Sequence, residues 1–161
     1  MKASYLDTIA LIERLHRQCL EVVKGELERL GLRDINSVQA MILFNIGETE
    51  VTVGELTQRG YYLGSNVSYN VKKMVENGYL EQERSPHDRR AILVRATEQG
   101  LEIYRRLHAL YDEHANELAE GAIDQKSLEQ TKATLTRLET FWSAARMHGG
   151  RAAPLRVTTA A

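Results

Sequence analysis

The chain has 161 residues, 27% of them charged and 43% hydrophobic, with a formal net charge of −1. That is enough for one domain with a real core, or for two small lobes sharing one, and the composition is ordinary for a globular protein. Nothing approaches the roughly 18 apolar residues of a membrane helix, and Asp7 and Glu13 break the apolar stretch a signal peptide would need. The single cysteine, Cys19, excludes an intramolecular disulfide framework, so a reducing, cytoplasmic setting is expected.

In chain order, residues 4 to 30 are predicted as a long amphipathic helix. Tyr5, Ile9, Ile12, His16, Cys19, Val23, Glu26 and Leu30 recur at three- and four-residue steps, apolar except at His16 and Glu26. Gly31 takes the usual position of a helix-stopping glycine. Asn36 with Gln39 has the spacing of a capping box and opens a second helix through Val38, Met41, Ile42 and Ile46 to Gly47. Thr52 with Glu55 repeats the signature for a short third helix containing Val53 and Leu56. Gly60-Tyr61-Tyr62-Leu63-Gly64 reads as a turn, and Ser65 as the cap of a fourth helix through Val67, Val71, Met74 and Val75, with Val67 and Val71 facing the core, ending at Asn77-Gly78.

Two short strands, 79–84 and 91–97, follow, joined by the Pro86-His87-Asp88-Arg89-Arg90 loop. Thr97 caps a fifth helix with Leu101, Tyr104, Leu107, Tyr111, Ala115 and Leu118 at helical spacing. Asp124 caps a sixth with Leu128, Leu135, Leu138 and Trp142, and a frayed tail follows Arg146. The expected fold is mainly α with a small β-hairpin wing, a winged helix-turn-helix with a helical dimerisation layer. Its parts are an N-terminal dimerisation helix (1–34), the winged domain (35–97), C-terminal dimerisation helices (98–146) and a flexible tail (147–161).

This order of elements solves one geometric problem. A helix with small donors and acceptors in its first turns enters a DNA major groove, and a thin basic hairpin beside it reaches the adjacent minor groove. The charge distribution agrees: residues 59–97 hold seven Lys/Arg against four acids, +3, while the rest of the chain carries −4. Ser65, Asn66, Ser68, Tyr69 and Asn70 are the candidate groove residues, with Ser65 equally well suited to capping the helix. Lys72 and Lys73 suit phosphates, which position a protein without specifying sequence, or else a solvated helix face. Arg89 and Arg90 suit a narrow minor groove or simply a charged loop; Asp88 would orient Arg90 or brace the loop. The broad apolar stripes on the first and last two helices are best used against a second copy, setting two reading heads about one helical turn (~34 Å) apart on DNA; the other arrangement is an intramolecular bundle.

The chain from about residue 5 to 145 resembles the MarR family of bacterial transcription regulators. The resemblance is carried by Val53-Gly54-Glu55-Leu56-Thr57-Gln58-Arg59, Ser65-Asn66-Val67-Ser68 and Val71 to Leu80, then by Asp88-Arg89-Arg90 with Thr97 and Gly100 after it. It implies a homodimer on a pseudo-palindromic operator, commonly a repressor, released by a small-molecule ligand or an oxidant, with Arg90 as the characteristic wing arginine. It also implies a ligand pocket between reading head and helical layer, for which His16, Cys19, Met41 and Phe44 are candidates; the same residues serve equally as core. Cys19 on an apolar stripe reads as a small hydrophobe rather than a sensor thiol.

No nucleophile elbow, phosphate-cradling glycine loop or metal box is present, so neither catalysis, cofactor nor metal is expected. His108 and His114 are spaced wrongly to share a helix face. The expected partners are double-stranded DNA, a second copy of the chain and a small effector, with no membrane. The alternative is a protein-interaction module that keeps the fold and has lost DNA binding, against which the polar fourth helix and arginine-tipped wing argue.

Overall fold

A computed structural model describes residues 1–58, 64–86, 88, 90–121 and 123–147. Residues 60–63 of the expected 60–64 turn, His87 and Arg89 of the wing loop, and the tail from 148 onward lie outside the described residues.

Local capping chemistry sets most of the boundaries. Helix α1 (Lys2–Arg29) ends with Gly31 at φ 72°, a left-handed conformation that glycine adopts without a steric cost. Helix α2 (Ser37–Ile46) opens on the expected box: Asn36 Oδ1 accepts from Gln39 N at 2.9 Å, and Gln39 Oε1 accepts from Asn36 N at 3.1 Å. Strand β1 (Val51–Thr52) runs straight into helix α3 (Val53–Gln58). There Thr52 Oγ1 accepts from Glu55 N at 3.0 Å while the Glu55 carboxylate accepts from Thr52 N at 2.6 Å. Helix α4 (Gly64–Glu76) starts at Gly64, so Ser65 lies inside its first turn rather than ahead of it as the expected cap.

The wing is strands β2 (Leu80–Arg84) and β3 (Ile92–Ala96). It is part of a three-stranded antiparallel sheet of order β1-β3-β2, not an isolated hairpin, with Val51 opposite Val94 and Leu80 opposite Ala96. Strand β1 escapes a periodicity reading because two residues cannot display an alternation. Helix α5 (Glu98–Ala119) is capped by Thr97, whose Oγ1 accepts from Gly100 N at 3.2 Å. Helix α6 (Gln125–Met147) is capped by Asp124, whose carboxylate accepts from Ser127 N at 2.6 Å; that bond holds the Asp124 carboxyl below its ordinary range.

The chain divides into two compact units, Met1–Tyr111 and Asp112–Ala161. The core of the first joins Val23 and Leu27 of α1, Ala40, Leu43 and Ile46 of α2, Leu56 of α3, Val67, Val71 and Met74 of α4, Leu80 and Val94 of the wing, and Ile103 and Leu107 of α5. Of the α1 stripe only Val23 and Glu26 are buried, with Leu27 buried beside them. The Glu26 carboxylate is tied to Arg29, with Nε donating at 2.7 Å, which holds its pKa below the usual carboxylate value. The second unit consists, among the described residues, of the end of α5 and α6, with Leu118, Ile123, Leu128 and Leu135 exposed.

Candidate nucleic-acid interface

Helix α4 sorts its side chains by face. Val67, Val71 and Met74, at steps of four and three, are 1%, 2% and 1% exposed and hold the helix on the core. The opposite side presents Asn66, Ser68, Tyr69, Lys72 and Lys73 to solvent, with Tyr69 62% exposed despite its size. An aromatic ring left so bare on a helix of polar residues has no role in the core. Asn70 lies on the flank, half-buried, and its Nδ2 donates to Asn66 O at 2.8 Å. With Asn66 it borders a cavity of about 410 Å³ that also reaches Leu20, Glu21, Asn36, Ser37 and Val38.

The two lysines are not unattended. Glu76 Oε2 accepts from Lys73 Nζ at 2.8 Å, and Glu76 Oε1 lies 4.0 Å from Lys72 Nζ. The hydrogen bond raises the Lys73 pKa and lowers that of Glu76.

The wing loop is braced by its own acid. Asp88 Oδ1 accepts from Arg90 N at 2.9 Å, Asp88 N donates to Ser85 Oγ at 3.3 Å, and Ala91 N donates to Asp88 O at 2.9 Å. The carboxylate therefore faces the loop backbone, and the Arg90 side chain stands exposed at the tip. Arg95 of β3 is committed to the sheet: its Nε donates to Glu81 Oε1 at 2.9 Å, an interaction that raises its pKa. One face of the wing is thus locally paired, and among the described residues of the loop Arg90 stands exposed.

The base of the wing is fixed by a junction that spans the first unit. Tyr79, 1% exposed, donates its hydroxyl to Asp34 Oδ1 at 2.7 Å, and Asn77 Nδ2 donates to Asp34 O at 2.8 Å. Burial first, and then the bond to Asp34, push the Tyr79 hydroxyl up to about 12. Gly78 takes φ 80°, and Thr97 closes the other side, donating from Oγ1 to Gly78 O at 2.6 Å and from N to Tyr79 O at 3.1 Å. The end of α4, the wing and the start of α5 are locked together, which orients wing and helix as one body.

Of the four residues named for a ligand pocket, three converge. Tyr111 of α5 donates its hydroxyl to Met41 Sδ at 3.3 Å and lies 3.9 Å from Cys19 Sγ. The Phe44 ring meets it edge-on at 5.1 Å between centroids. His16 is exposed on α1. Cavities of about 540 and 410 Å³ are lined by other residues, the larger by Lys24, Leu27, Glu28, Leu32, Arg33 and Ile35 among others. Glu76 and the Asp34–Tyr79 pair were not singled out in the sequence, and Tyr111 stood there only as part of the apolar stripe of the fifth helix. Glu76 left a local trace, the three- and four-residue spacing of Lys73 and Lys72 from it. Among the described residues no cluster of His, Cys, Asp and Glu is arranged to hold a metal, and no helix is long and apolar enough to cross a membrane.

Known proteins share this arrangement. A family model described as the MarR family matches residues 33–91. The exopolysaccharide II synthesis transcriptional activator ExpG of Rhizobium meliloti (strain 1021) is 36% identical over 146 residues, spanning 91% of this chain and 75% of that protein. Among solved structures, Streptococcus pneumoniae FabT in complex with DNA superposes with a TM-score of 0.66 at 21% identity, covering 86% of this chain and 97% of FabT. A mutant MarR from E. coli complexed with operator DNA gives 0.66 at 20% identity, covering 84% and 95%.

Proposed function

The chain belongs to the MarR family, and from that premise we propose that it is a sequence-specific double-stranded DNA-binding regulator of transcription, working as a homodimer. The observation that carries this reading is the division of α4, apolar residues locked inward and Asn66, Ser68, Tyr69, Lys72 and Lys73 presented outward beside an arginine-tipped wing. Ser65, Asn66, Ser68, Tyr69 and Asn70 meet base edges or nearby phosphates in the major groove, and Lys72 and Lys73 meet phosphates. Arg89 and Arg90 enter the minor groove with Asp88 bracing the loop. The structures of FabT with DNA and of MarR with operator DNA support this use of the shared fold.

The homodimer is supported by apolar surface that the single chain leaves open. Leu11, Leu15 and Val22 share one face of α1 and are 44%, 50% and 42% exposed. Two reading heads related by a two-fold axis require a pseudo-palindromic site. Repression follows from occupying such a site, and release from a small ligand entering beside Cys19, Met41 and Phe44, with His16 one turn away on α1. A second reading, activation from the same site, is favoured by the R. meliloti relative, which is an activator by name.

Selection of binding sites from a random duplex pool by the full chain tests the proposal. Enrichment of an inverted repeat with half-sites one helical turn apart is expected, and a reporter carrying that repeat then gives the sign of regulation. A pool that yields no enriched sequence overturns sequence-specific binding and leaves the protein-interaction alternative.

A further inference from the structure

The exposed face of α4 ends in an acid, and helix stability does not explain it. Glu76 is seven residues after Tyr69, two turns along the same face, and so shares the surface that α4 presents. Its carboxylate holds Lys73 at 2.8 Å and stands 4.0 Å from Lys72. As a structural ion pair this is poorly built. Glu76 is the last residue of α4, where a negative charge opposes the helix dipole. Both lysines precede the glutamate, the less favourable order for spacings of three and four.

As a device acting on the lysines it is well built. A lysine held by a carboxylate must give up that pair before it neutralises a phosphate. The pair therefore weakens the phosphate attraction, which supplies essentially all sequence-independent DNA binding. Base contacts from the first turns of α4 lie two turns away from Glu76 and do not depend on it.

We propose that Glu76 is a positioning residue that restrains sequence-independent DNA attraction by competing with phosphate for Lys73 and, more weakly, Lys72; this rests on the DNA-binding function proposed above. The raised Lys73 and lowered Glu76 pKa values agree with the pairing.

The test uses the full chain and a labelled random-sequence duplex, with binding followed by fluorescence anisotropy across a series of salt concentrations. Glu76→Gln is expected to tighten binding by up to about tenfold near 0.1 M salt and to steepen the log–log salt slope by up to about 0.9 for each phosphate newly neutralised. Glu76→Ala, which removes the acceptor as well as the charge, is expected to do the same. In a Lys73→Ala background most of the Glu76→Gln gain should disappear. Binding by the wild type with no change of affinity or slope in either Glu76 variant overturns the inference, and so does an undiminished gain in the Lys73→Ala background. Binding by neither wild type nor variants at low salt overturns the DNA-binding function itself, and the inference with it.

Discussion

Replacing Gly100 by Ala isolates the junction that fixes the wing. Gly100 is in the first turn of α5, and a Cβ built there would lie 2.2 Å from the Tyr79 carbonyl oxygen, 3.1 Å from Leu43 Cδ2 and 3.3 Å from Ala96 Cβ. An ordinary carbon–oxygen contact is about 3.3 Å, so strand and helix must part by roughly 1 Å. The obstacle is backbone, which cannot swing aside like the end of a long side chain. The same carbonyl accepts from Thr97 N at 3.1 Å, so the displacement also loosens a bond at the wing base. Crowding a packed core costs about 1–3 kcal/mol, and weakening a buried backbone bond a comparable amount. Against this, alanine is preferred to glycine inside a helix by only about 1 kcal/mol. Crowding wins, for a net loss of roughly 2–4 kcal/mol. Urea unfolding followed by circular dichroism, at one protein concentration, measures it. Gly25→Ala in α1 is the control: nothing lies within 4 Å of the added methyl group, so it should gain up to about 1 kcal/mol. If Gly100→Ala is as stable as Gly25→Ala, the close packing at Tyr79 is wrong.

Further outcomes follow from the same geometry. Arg90→Ala should weaken DNA binding by roughly tenfold in anisotropy titrations, the scale of one lost cationic groove contact, while helix content and self-association stay unchanged. Because the folded Tyr79 hydroxyl is raised to about 12, above the roughly 10 of an unfolded tyrosine, its stabilisation is complete below pH ~10 and is lost as pH climbs toward 12. That loss is roughly 2–3 kcal/mol, and urea midpoints for Tyr79→Phe should lack this part of the alkaline decline. Asn36→Ala removes the side-chain acceptor of the α2 capping box, to which Gln39 N donates, and should lower the urea midpoint by the equivalent of about 1 kcal/mol. Leu15→Glu, at a position 50% exposed in the single chain, should weaken self-association in sedimentation velocity; an unchanged dimer would remove α1 from the interface.

What the sequence discloses is the chemistry that acts over a few residues. The boxes at Asn36 and Thr52 and the caps at Thr97 and Asp124 each need only a side chain and a backbone amide three residues on, and all four form as read. The inward pair Val67 and Val71 follows from helical periodicity in the same way. What stays hidden is pairing across distance. Tyr79 and Asp34 are 45 residues apart, and Cys19 and Tyr111 are 92 apart; nothing in either local pattern names its partner. Gly100 stood out only as part of a resemblance, and its physical reason, the Tyr79 carbonyl against its α-carbon, exists only in the folded chain. Strand β1 is legible only from its partner, since Val51 becomes a strand residue by pairing with Val94. The stripe read on α1 passes through Tyr5 and Val23, whereas Leu11, Leu15 and Val22 form a second apolar face left open to solvent. For the candidate interface, residue types revealed which side chains suit DNA and offered Asp88 as a brace for Arg90 or the loop; that its carboxylate accepts from the Arg90 backbone amide, and that Glu76 accepts from Lys73, is read from the coordinates.

The central claim is that α4 and the wing read a DNA sequence. Fluorescence-anisotropy titration of the full chain with duplexes from its own upstream DNA, against a scrambled duplex at two salt concentrations, tests it most directly. The expected result is a site bound at least about 10³-fold more tightly than the scramble, with both affinities falling as salt rises. Equal affinity for every duplex, or no binding at low salt, would contradict the claim.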